Sequence, residues 1–115
     1  MDKVLRWYMD GNISRSKTEV GGTYWLDADY RPEWVHITCR IAGVGETSMI
    51  IDINDDGTSI FSARPALYEN MTEKTWTTMP IDVLQAKSEI TLDIDQVFNM
   101  DTCRDLTVEL GLTQV

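Results

Sequence analysis

Asp52, Asn54 and Asp56 recur at every second position and are followed by Gly57, in the run DINDDG. Oxygens at that spacing, with a glycine for the sharp bend, open a calcium loop of the EF-hand kind. Such a loop also needs a bidentate carboxylate at its twelfth position. Here that position holds Ala63. An amphipathic helix must flank the loop on each side, whereas TSMIID before it and TSIFSA after it are rich in β-branched and aromatic residues. The stretch reads instead as strand, turn, strand, with Asp55, Asp56 and Gly57 at the turn, because Gly57 takes a positive φ without a Cβ clash. Two registers are open: a two-residue turn pairs Ile53 with Ile60, and a four-residue loop pairs Ile51 with Ile60. In either, Met49, Ile51, Ile53 and Ile60 share one face.

The remaining chemistry-bearing residues are sparse. No phosphate-binding glycine loop, dinucleotide fingerprint, nucleophile elbow or zinc-protease motif occurs. The single histidine, His36, falls on the outward side of a strand with no oriented acid or nucleophile in view, so a Ser-His-Asp triad is not expected. Asp93 and Asp95 share the outer face of another strand. Paired carboxylates serve glycoside hydrolysis only across a cleft, and a solvated sheet face is the expectation here. Cys39 and Cys103 make no CxxC pair and have no clustered histidines to complete a zinc site. A disulfide between them is geometrically open, but free thiols are expected where no export leader is seen. No enzyme activity, metal or cofactor is expected.

Aromatic residues carry more of the functional expectation. Of the four tryptophans, Trp7, Trp25 and Trp76 read as core fillers, while Trp34 alternates with inward residues and should face outward. An outward indole stacks on sugar rings or anchors a protein interface. The segment WLDADYRPEW places Trp25, Tyr30 and Arg31 near Trp34 and His36. These five residues form the expected interface or ligand surface.

The elements that must position them follow a period of two. WVHITCRI sets Val35, Ile37, Cys39 and Ile41 against Trp34, His36, Thr38 and Arg40; EITLDID and DLTVELGLT repeat the pattern. Further strands are expected at KVLRWYM, GTYWLD and KTWTTMPI, and IDVLQAKSE is the one segment with helical spacing. About eight strands predict an all-β fold, an antiparallel, jelly-roll-like β-sandwich filling residues 1–115 as a single domain.

Composition narrows the partners. A chain of 115 residues, 43% of them hydrophobic, can bury a core without disulfide or metal. No apolar run approaches the length of a membrane span, and MDKVLRWYMDG lacks the core of a signal peptide. Synthesis in a cytoplasm and no membrane partner are therefore expected, which also makes the glycosylation-type triplets at Asn12 and Asn70 accidental. The net charge is -9, and residues 41–115 hold four basic against thirteen acidic side chains. That surface repels phosphate backbones, so nucleic acid is not an expected partner.

Three segments in order, IIDINDDGTSIFSARPAL, ITLDIDQV and DLTVELGL, resemble small β-sandwich modules of tailed-bacteriophage virion proteins. Residues 34–113 carry the resemblance, with turn changes at FNMDTC and AKSE. It implies a noncatalytic structural or adhesive part of a virion, made in the host cytoplasm. The first expectation is a capsid decoration or cement protein that contacts the major capsid protein or other virion proteins, often as a homo-oligomer, with a trimer favoured. The alternative is a tail, neck or fibre-associated module that binds a host-surface glycan or receptor.

Overall fold

The computed structural model describes residues 2–115, and these described residues form nine strands. They are β1 (Asp2–Asn12), β2 (Tyr24–Trp25), β3 (Tyr30–Ile41), β4 (Met49–Asp55), β5 (Thr58–Ser59), β6 (Ala66–Leu67), β7 (Glu73–Trp76), β8 (Glu89–Gln96) and β9 (Arg104–Gln114). β1, β9, β3 and β7 form sheet A in that order. Sheet B runs β2, β8, β4, β5, with β6 also paired to β4. All pairings are antiparallel, and across the fold they include β1 with β9, β2 with β8, β3 with β7, and β4 with β6. First therefore pairs with last, second with second-last, and so inward. This is the connectivity of one long hairpin rolled into two layers, a jelly roll.

Alternation explains why the layers close. Leu106, Val108, Leu110 and Leu112 of β9, Ile51 and Ile53 of β4, and Ile90, Leu92 and Ile94 of β8 are all buried. Each strand thus turns one apolar edge toward the opposite sheet, and burial of that surface is the main drive for closure. Trp7 lies fully inside, its ring edge-on to Tyr24 at 5.4 Å. Trp76 packs part-buried against the core.

The turn after β4 has the two-residue register. Asn54 pairs with Ser59 and Asp55 with Thr58, and the Ile60 amide donates to the Ile53 carbonyl at 2.9 Å. Asp56 (φ 49) and Gly57 (φ 86) both take left-handed backbone, which makes this a primed hairpin turn with no flanking helices. Met49, Ile51, Ile53 and Ile60 are all buried. Asp56 also ties the turn to β8, its carboxylate accepting from the Glu89 amide at 2.9 Å.

Five expectations need correction. IDVLQAKSE forms no helix: Leu84 makes an isolated bridge to Tyr30, and the backbone spends its hydrogen bonds on neighbouring chain. KTWTTMPI is a strand only as far as Trp76, and GTYWLD only over two residues. Ile41 is 42% exposed: it is the last residue of β3 and pairs with Arg104, one step beyond the last buried pair, Cys39 with Leu106. Tyr30 is 1% exposed and belongs to the core.

Candidate functional site

A bulge in β3 decides which of the expected site residues reach the surface. Arg31 pairs with Thr113 and Pro32 with Leu112, but the next partner, Gly111, meets Trp34. The extra residue inverts the alternation. Tyr30 and Pro32 therefore point inward, while Arg31, Trp34, His36, Thr38 and Arg40 stand on the outer face of sheet A. Tyr30 is held inside by its hydroxyl, which donates to Asp27 at 2.8 Å, and by paired backbone bonds with Leu84. The Lys3 ammonium lies 5.3 Å from its ring centre. Trp25 is 65% exposed, contrary to a core role, but it sits on β2 of the other sheet. The structure thus brings Arg31, Trp34 and His36 together on one face and separates Trp25 and Tyr30 from them.

That face is organised in cross-strand rows. The first is Val4, Gly111 and Trp34. A Cβ on Gly111 would fall 2.1 Å from Trp34 Cε2, so the indole lies directly on the glycine backbone. The second row is Arg6, Glu109 and His36. Arg6 donates to Glu109 through Nε at 2.9 Å and Nη2 at 2.6 Å, and His36 lies 3.7 Å from Glu109 and 3.2 Å from Glu73. The third contains Tyr8, Thr107 and Thr38.

At the lower rim, Arg40 donates to Asp105 at 2.5 Å, and the Gly11 amide reaches the other carboxylate oxygen at 2.7 Å. The Gly11 amide first, and then the Arg40 guanidinium, hold the Asp105 carboxyl below its ordinary range. Val4 (47% exposed) and Tyr8 (54% exposed) extend the apolar part of this face. The sequence signal for both was the alternation in KVLRWYM.

The outer face of sheet B is polar and partly covered. Asp52 stands directly opposite Asp93. Ser59 donates to Asp52, Asn54 donates to Asp93 at 2.8 Å, the Glu19 amide donates to Asp93 at 2.9 Å, and Arg64 pairs with Asp95 at 2.7 Å. Burial first, and then the nearby carboxylates of Asp95 and Asp93, push the Asp52 carboxyl up against the pull of Ser59. Asp93 spends both oxygens on structural bonds and Asp95 is ion-paired, so the pair is organised to hold loops.

Among the described residues, no group of three or more His, Cys, Asp or Glu side chains is placed to hold a metal ion. Cys39 and Cys103 are free and buried, and the Cys103 thiol is pushed up to about 12, chiefly by burial. A cleft of about 470 Å³ lies between the end of β1 and the segment after it, lined by Met9, Ile13, Arg15, Lys17, Glu19 and Ile94 among others. None of the five expected residues reaches it.

The fold has a counterpart among solved structures. A chain in the capsid of Ralstonia phage GP4 superposes with a TM-score of 0.64 over 100% of this chain and 85% of that one, at 9% identity. The catalytic domain of a GH87 alpha-1,3-glucanase in complex with nigerose gives a TM-score of 0.44 at 14% identity, over 93% of this chain and 21% of that one, and carries no argument. No protein-family model matches the chain, and no curated protein matches it. At 9% identity the likeness to the GP4 capsid chain establishes a shared fold, an antiparallel β-sandwich.

Proposed function

We propose that this chain is a noncatalytic structural protein of a bacteriophage virion, bound to the shell as a decoration or cement protein. The observation that carries the reading is the full-length likeness to a chain of the GP4 capsid, at a TM-score of 0.64. The residue pattern of the three ordered segments points the same way independently of that superposition. The outer face of sheet A suits the role: Val4, Tyr8 and Trp34 offer apolar area, while Arg6, Glu109 and Arg40 are already paired within the face. Covering charges that keep their partners costs less than covering free ones. Association with the major capsid protein, and with further copies around a symmetry axis, would hold neighbouring subunits together through many repeated small contacts. Deleting the gene from the phage should lower the particles' resistance to heat and osmotic shock; unchanged resistance would contradict a cement role.

Trp25 favours a second reading. It is 65% exposed on a sheet edge, where an indole can stack on a sugar ring. In that case the module binds a host-surface glycan from the tail, neck or fibre. A glycan array separates the two readings, since a cement protein gives no signal across a broad panel.

A further inference from the structure

β1 is an edge strand of eleven residues, and it is the longest edge that either sheet presents. An edge of that length offers a row of unpaired N–H and C=O groups to any extended chain, including a second copy. Its middle is closed by one side chain. The Tyr24 hydroxyl donates to the Arg6 carbonyl at 2.6 Å and accepts, at a longer 3.4 Å, from the Arg6 amide. Both groups of Arg6 therefore face away from β9, and by alternation so do those of Val4 and Tyr8.

The placement of Tyr24 is built in. Its ring stands edge-on to Trp7, and its backbone pairs with Ile90 at the edge of sheet B. The chain reaches it through Gly21 (φ 72) and Gly22 (φ 101), whose carbonyl accepts from Trp7 Nε1 at 3.0 Å. Two further features disturb the same edge: a bulge between Met9 and Asn12, and the Lys3–Asp27 ion pair near its start.

We infer that the Tyr24 hydroxyl is a guard that keeps sheet A from adding a strand from a second copy at β1. The threatened pairing is antiparallel about a two-fold axis at Arg6. The Arg6 amide of one copy would meet the Arg6 carbonyl of the other, and Val4 would lie opposite Tyr8. Those amide and carbonyl groups are the two that Tyr24 occupies. The two Arg6 side chains do not prevent it, since each is already neutralised by its own Glu109. Assembly is thereby directed to faces and ends of the sandwich. The inference stands whether or not the protein belongs to a virion.

Tyr24→Phe removes the hydroxyl and leaves the aromatic contact with Trp7. Its mass in solution should double relative to wild type as concentration rises, with circular dichroism still that of an intact sandwich. Adding Val4→Pro, which deletes an outward-facing amide of the same edge, should return the mass to the wild-type value. A folded Tyr24→Phe protein with wild-type mass throughout, or an association that Val4→Pro leaves intact, overturns the inference. Hydrogen exchange on the wild-type chain gives an independent test: the Arg6 amide should exchange several-fold more slowly than those of Val4 and Tyr8. Equal rates would also overturn it.

Discussion

The indole of Trp34 lies on Gly111, directly across from it on the neighbouring strand, where a methyl group would sit 2.1 Å from Cε2. Gly111 is therefore a shaped recess for the largest side chain on the outer face. Gly111→Ala should lift the indole, shift its fluorescence toward that of exposed tryptophan, and cost about 1–3 kcal/mol of stability in a denaturant melt. An unchanged spectrum would mean that the ring does not depend on the recess.

The hairpin turn supplies a second prediction. Gly57 has φ 86 with open space around its Cα, so Gly57→Ala is opposed by backbone conformation alone. The cost should be about 1–2 kcal/mol, the penalty of an L-residue in left-handed backbone. Asp56→Ala should cost a similar amount for a different reason, since it also deletes the bond to the Glu89 amide. Thermal melts of the two variants check both.

How far this was readable in advance depends on the range over which each signal acts. The turn at Asp56 and Gly57, and the inward faces of β8 and β9, are local patterns and were legible from spacing alone. Tyr30 was not. It has the same parity as Trp34, and only the bulge between Pro32 and Trp34 sends it to the core. Such a bulge depends on the fit of β3 against β9, which lie far apart in the chain. Ile41 has the inward parity of Val35, Ile37 and Cys39, but β3 outruns the core there, the last buried pair being Cys39 with Leu106. The Tyr24–Arg6 contact links two sheets through a tertiary crossing and left no sequence signature. Among the five expected surface residues, Arg31, Trp34 and His36 share a face because they follow the bulge's rule.

Asp52 sets a pH dependence of stability. Its folded-state carboxyl is raised by burial, so its contribution is fully present below the unfolded-state value and is lost as pH rises through the folded one. Asp52→Asn should accordingly raise the melting temperature at pH 7. The gain should vanish near about pH 3, where the wild-type carboxyl is protonated in both states. A variant less stable at pH 7 would contradict this sign.

Cys103 should be chemically silent in the folded protein. With its thiol pushed up to about 12, roughly one part in ten thousand is ionised at pH 8, and the side chain is buried. Iodoacetamide should label Cys103 only after unfolding, as read by mass spectrometry of the peptide. Rapid labelling under native conditions would show that the core opens there.

Quantitative mass spectrometry of purified phage particles addresses the proposed function most directly. A decoration protein should be present in a fixed ratio to the major capsid protein, of the same order in copy number, and should remain with the shell when tails are removed. Absence from the particles, or abundance far below that of the shell subunit, would contradict it.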